Sequence, residues 1–244
     1  RIVRRPTSSR EAHALYLKGL HFWNQRTPSG YARAVDYYQR TIEVDPQYAA
    51  AYAGLAITYS LQGLSGEMAP EEARERMRAA VAKGLEIDDE SAEAHAALGA
   101  LLNMYEWDSE ASERAYRRSL ELNPGNGTAR HLYANLLRAM DRLDEAIVQK
   151  RIAIELDPLA PQLGSSLGYT LLEADRPNEA LEEFRAVLEL DSTFADAHAG
   201  LGHYYAATGR WEDAFGAYRR AVGLAGENTS YRAGLARALT QTGR

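Results

Sequence analysis

Apolar and small residues alternate with polar ones along most of this chain at the spacing of amphipathic helices, in blocks divided by short polar turns. The stretch from Asp196 to Gly209 is one such block. Gly209 closes it as a C-cap, because glycine enters the left-handed conformation without steric penalty. The next block, from Arg210 to Leu224, opens with Glu212 and Asp213, whose charge complements the positive end of a helix dipole. Two such blocks in series predict an antiparallel helical hairpin.

The hairpin recurs. A shift of 34 residues superposes Leu167-Gly168 on Leu201-Gly202, Ala180 on Ala214, Phe184 on Tyr218, and Glu155-Leu156-Asp157 on Glu189-Leu190-Asp191. The same frame recovers Lys18-Gly19, Leu55-Ala56 and Leu98-Gly99, with insertions of 3, 9 and 1 residues in the first three units. The eighth position reads Gly19, Ala56, Gly99, Ala134, Gly168, Gly202 and Ala236, never larger than alanine. The twentieth reads Ala34, Met77, Ser112, Ala146, Ala180 and Ala214, with Met77 the exception. Small residues at both places let two helix backbones pack closely, while Leu98, Leu102 and Tyr116 fill the surrounding space. The expected organisation is a basic leader at 1–11 and one domain at 12–244, built of units 12–48, 49–91, 92–126, 127–160, 161–194 and 195–228 and a terminal helix 229–244.

These positions resemble the tetratricopeptide repeat (TPR) pattern over residues 12–244. Departures are local: Asp89 and Ser192 replace the terminal proline, and His95 and His198 stand where the family often has tryptophan. The resemblance implies an all-α fold, a right-handed α-α superhelix of six helical hairpins plus a terminal helix. It also implies that an extended or helical peptide binds the concave face lined by the first helices. The first unit, with Arg26-Thr27-Pro28 between its helices, is similar to TPR modules at the C-terminal end of bacterial signalling proteins. Those modules are fused to adenylate cyclase, protein kinase or winged-helix DNA-binding domains. Such a fusion fits a chain whose first residue is Arg1 and whose leader is basic.

Composition narrows the chemistry. The chain has 244 residues and no Cys, which removes disulfide frameworks, zinc ribbons, iron–sulfur clusters and thiol nucleophiles. The net charge of −6 divides into +4 over residues 1–48 and −10 over the rest, which argues against nucleic-acid binding. No apolar run is long enough to span a bilayer and no secretory leader is present, so the expected location is cytoplasmic. HExxH, P-loop, GxGxxG and GxSxG motifs are absent, and no cofactor, metal site or catalytic residue is expected. His95 and His198 share one position of the repeat and read as scaffold. The sequons at Asn126 and Asn228 fall in turns between units, where asparagine is favoured by turn chemistry alone.

The candidate groove follows from the frame. Positions 2, 5, 6, 9, 12 and 13 of each first helix should face it. In the second and third units these are small and apolar: Ala50, Ala53, Gly54, Ile57, Ala96, Ala97 and Ala100. In later units they become polar and aromatic: His131, Asn135, Arg138, Tyr169, Glu173, His203 and Arg237. Asn135, Tyr169, His203 and Arg237 share the ninth position and should form a row able to bond a peptide backbone, or to hold an acidic group with Arg138 and Arg237. The expected partner is a protein or peptide. Self-association as a homo-oligomer through the outer face is the alternative.

Overall fold

The computed structural model describes residues 7–25, 27–225 and 228–243; residues 1–6 of the leader expected at 1–11 and Arg26 of the first turn lie outside them. Among the described residues there are thirteen α-helices and no strand. The chain divides into two compact units, Arg1–Leu136 and Leu137–Arg244. The first holds α1 (Arg10–Trp23), α2 (Pro28–Val44), α3 (Ala49–Ser65), α4 (Pro70–Ile87), α5 (Ala92–Leu101), α6 (Ser109–Leu122) and most of α7 (Gly127–Ala139). The second holds the end of α7 with α8 (Leu143–Leu156), α9 (Pro161–Glu173), α10 (Pro177–Leu190), α11 (Ala195–Ala207), α12 (Trp211–Ala225) and α13 (Thr229–Thr242). In the first unit α1 pairs with α2, α3 with α4 and α5 with α6; in the second α9 pairs with α10 and α11 with α12, while α13 packs on α12. No helix among the described residues is long and apolar enough to cross a membrane.

Helix starts are written in the sequence. Ser9, Thr27, Ser91 and Asp108 accept backbone N–H bonds at the first turns of α1, α2, α5 and α6, satisfying donors that have no partner inside a helix. Asn126 and Asn228, the two sequon asparagines, do the same for α7 and α13, through bonds to Ala129 and to Ser230 and Tyr231. Their place in the repeat is therefore explained by capping. His95 and His198 bond the carbonyls of Asp89 and Ser192, each six residues earlier, at 2.8 and 3.0 Å. Arg130 and Tyr52 tie down Pro124 and Pro46 from the same place in other hairpins. A scaffold role for the two histidines is what their position in the repeat led one to expect.

One register expectation is corrected. The small residue between α3 and α4 is Ala73, fully buried against Gly63, and Met77 lies four residues further on, also fully buried. Met77 thus occupies the place held by Tyr38, Tyr116, Phe184 and Tyr218, each four residues after Ala34, Ser112, Ala180 and Ala214. The nine-residue insertion of the second unit lengthens both of its helices rather than the second alone; α3 and α4 reach 17 and 18 residues, against 13 and 14 for α9 and α10.

The large residues form the core by lying on glycine. A Cβ added to Gly168 or Gly200 would come within 2.5 and 2.2 Å of the Phe184 ring, and Gly202 and Gly234 flank Tyr218 in the same way. Gly19 and Gly54 flank Tyr38. Each ring is therefore gripped by its own hairpin and by the first helix of the next, which is how neighbouring repeats hold one another.

Five of the turns inside hairpins carry a left-handed residue: Gly66, Trp107, Asp141, Asp175 and Gly209, with φ between 55° and 79°. Glycine and aspartate suit that conformation, and tryptophan does not. Trp107 follows a π-helical stretch, Leu102–Glu106, and its side chain is 84% exposed, so little burial offsets the strain. Trp107→Gly is expected to raise the unfolding free energy by about 1 kcal/mol, read as a higher urea midpoint. A lower midpoint would show that the indole makes a contact worth more than the strain.

Candidate functional site

In the first unit the first helices enclose a cavity of about 240 Å³. Its lining runs from Tyr16, Leu20 and Trp23 on α1, through Ala50, Ala53, Gly54 and Ile57 on α3, to Glu93 and Ala96 on α5. The segment Asn123 to Thr128, leading into α7, completes it. The opening exists because alanine and glycine stand at the groove positions of α3 and α5. Five of the seven small and apolar groove residues named from the sequence lie on its wall: Ala50, Ala53, Gly54, Ile57 and Ala96. Glu93 is the sole carboxylate of that lining. Tyr16 stacks in tilted contact with Tyr38 and Tyr48, at ring separations of 5.7 and 5.1 Å, and its burial pushes its phenol well above the usual range. The volume falls below the roughly 300–1,000 Å³ of a small-molecule site and is of the order of one or two side chains.

The polar residues expected to form a row are distributed over both units. His131 and Asn135 belong to the first, where the Asn135 amide lies 3.3 Å from His131 Nε2. The others belong to the second unit, and there the structure brings them into two groups. Tyr169 and His203 meet edge to face at 5.6 Å, and His203 meets Tyr218 in the same manner at 5.4 Å. Arg237 lies over the Trp211 ring at 5.4 Å, close enough to His203 and Tyr218 to act on them electrostatically. Arg138 and Glu173 bond each other at 2.7 Å with both side chains partly exposed, 41% and 45%.

Residues not singled out in the sequence complete both groups. The Tyr169 and Tyr231 hydroxyls both donate to Asp196 Oδ1, at 3.3 and 3.0 Å, and burial raises the Asp196 carboxyl above its ordinary value against the pull of those bonds. Burial also lowers the His203 imidazole, with Asp196 opposing and Arg237 adding to the effect. Within electrostatic reach of Arg138 and Glu173 lies Lys150, 2% exposed, whose Nζ bonds the Ser166 hydroxyl. Burial pushes the Lys150 ammonium down to about 7; the Arg138 charge works in the same direction and Glu173 against it. Lys150 stands in the column of Tyr38, Met77, Tyr116, Phe184 and Tyr218, and Ser166 in the column of Gly54, Gly200 and Gly234. Reading those two columns down the sequence exposes the substitution. The Asp196 cluster has no comparable signal, since its tyrosines are 27 and 35 residues away.

Comparison with known proteins agrees with the fold. Residues 166–229 match the family model described as tetratricopeptide repeat. Among solved structures, Pseudomonas aeruginosa PilF superposes with a TM-score of 0.64 at 23% identity, over 80% of this chain and 84% of that one. PilW, described as a type IV pilus biogenesis factor, gives 0.66 at 13% identity, over 93% and 99%. YrrB, described as a TPR protein with an unusual peptide-binding site, gives 0.53 at 22% identity, over 80% and 96%. Among curated sequences, 157 residues align at 24% identity with the transcriptional regulator HilA of Salmonella typhimurium and of Salmonella typhi. That alignment covers 64% of this chain but 28% of HilA, so the chain spans little more than a quarter of the relatives it matches. The hairpins of both units share one packing rule, and the family model described as tetratricopeptide repeat falls on two of them.

Proposed function

We propose that the chain is a non-catalytic protein-interaction module, cytoplasmic in location, that binds a peptide segment along the face of its first helices. The observation that carries this reading is the cavity of the first unit, which is open, side-chain-sized and made by small residues where the repeat could have placed large ones. An apolar anchor of the partner fills it beside Glu93. Along the second unit His203, Tyr169 and Arg237 offer aromatic and cationic contacts, and Arg138 with Glu173 adds a charged station; in the first unit His131 and Asn135 offer polar contacts of their own. The repeat fold is shared with YrrB, which is described as having a peptide-binding site. The alignment with part of a transcriptional regulator supports a regulatory or scaffold role within a larger bacterial protein.

The test is selection of binders from a displayed peptide library on the intact chain, followed by titration. Thr128 is partly exposed at the cavity wall, so Thr128→Phe should obstruct the cavity without disturbing a helix core. A selected peptide should bind this variant at least about tenfold more weakly, a loss of about 1.4 kcal/mol. A tight dimer in sedimentation, together with a library that yields no binder, would replace this reading with self-association.

A further inference from the structure

Two large apolar side chains of the first unit stand in solvent, and neither lines the cavity. Leu64, near the end of α3, is 71% exposed, and Trp107, in the turn between α5 and α6, is 84% exposed. Contacts between the neighbouring residues put both on one edge. The Tyr105 hydroxyl lies on Gly63, 2.9 Å from where a Cβ would stand, and Arg74 and Arg78 of α4 both pair with Glu106. Leu64 follows Gly63 and Trp107 follows Glu106. The repeat does not call for an indole there, since other hairpins place Gly66, Asp141, Asp175 and Gly209 at the left-handed turn residue. Exposed apolar side chains grouped inside a polar rim mark a surface that another molecule covers, and tryptophan is prominent among the anchors of such surfaces.

The rim has one sign of charge. Residues 64–75 and 103–110 carry seven carboxylates and one guanidinium, that of Arg74. Arg76, Arg78 and Arg114 reach in to pair with Glu72, Glu106 and Glu110, which leaves the edge a net charge of −3. Glu67, Glu75 and Asp108 have no cationic partner among the described residues. We propose that this edge docks a basic amphipathic segment of a partner protein, with an apolar side chain packed on Trp107 and Leu64 and Lys or Arg side chains set against Glu67, Glu75 and Asp108. The indole suits both halves of such a segment, because its face accepts apolar contact and attracts a cation. The same charge repels nucleic-acid phosphates and anionic lipid headgroups. The inference does not rest on peptide binding at the first-helix face.

The probe is an end-capped peptide with leucine and lysine at helical spacing, and its control carries glutamate in place of lysine. Acrylamide quenching of tryptophan fluorescence in the full chain reports on the edge, because Trp23 is only 7% exposed and Trp211 is partly buried. The lysine peptide should shield Trp107 from quenching and the glutamate peptide should not. Its affinity, measured by calorimetry, should fall steeply as salt rises from about 0.05 to about 0.5 M. Trp107→Gly, and separately Glu67→Lys with Glu75→Lys, should each weaken binding about tenfold. The paired charge reversal changes only exposed side chains, so it tests the edge even if the turn variant misfolds. Thr128→Phe, which obstructs the cavity, should leave this affinity unchanged. A loss in Thr128→Phe with none in the edge variants would assign the peptide to the first-helix face and overturn the proposal. Equal binding of both peptides, or of neither, would also overturn it. So would shielding of Trp107 by phosphatidylcholine vesicles or by rising protein concentration alone, which would assign the edge to a lipid surface or to a second copy of the chain.

Discussion

Phe184→Ala is expected to lower the stability of the second unit by about 3–5 kcal/mol, the range for truncating a fully buried aromatic side chain. Phe184 is completely buried among Ile147, Leu167, Leu171 and Ala180, with Tyr169 set edge-on at 5.3 Å. The upper part of that range applies because Gly168 and Gly200 lie on the ring's two sides. Neither has a side chain that could move into the space, so the cavity stays open. Gly200→Ala supplies a control. In the wild-type background its Cβ would come within 2.2 Å of the ring and the ring must shift. In the Phe184→Ala background the same methyl enters vacated space. Urea unfolding of the four proteins should give a coupling of at least about 1 kcal/mol. Additive effects would mean that the ring is not what joins neighbouring repeats.

Lys150→Met should act in the opposite direction. In the unfolded chain this lysine titrates near its ordinary value of 10.5, and in the folded chain burial holds it at about 7. Between those values the unfolded state binds more protons than the folded state, so the wild-type chain gains stability as pH rises from about 7 towards about 10, by at most about 1.4 kcal/mol per unit from this group. Below about 7 both states carry the proton, the penalty is complete, and this contribution no longer changes with pH. Replacing the amine by an apolar side chain of similar length removes the penalty. The variant should therefore be more stable than wild type by several kcal/mol at pH 7 and should converge with it near pH 10. Denaturant midpoints for both proteins at three or four pH values test this. A difference independent of pH would show that the amine is charged in the folded chain.

The sequence made the hairpins legible because their signals are local. Ser9, Thr27, Ser91 and Asp108 announce helix starts, Gly209 announces a stop, and the 34-residue frame fixes which residues pack between helices. Met77 was out of register because the nine-residue insertion of its unit is shared between two helices. The small apolar groove positions were legible, yet their opening into a cavity was not, because the Asn123–Thr128 segment that completes it belongs to the next turn of the chain. Glu173 and Arg138 were both visible as groove residues, but their bond to each other depends on the spacing of α7 and α9 in the folded second unit. Lys150 was hidden by its type, since a lysine on a helix is ordinarily a solvated one.

Binding of a peptide segment on the first-helix face has a direct physical readout. Amide hydrogen exchange of the chain with and without a library-selected peptide tests it most directly. Added protection is expected on the residues that present this face, from Tyr16 to Trp23, from Ala50 to Ile57 and from Glu93 to Ala96, with α2, α4 and α6 unchanged. Protection confined to those second helices, or rising with protein concentration in the absence of peptide, would contradict it.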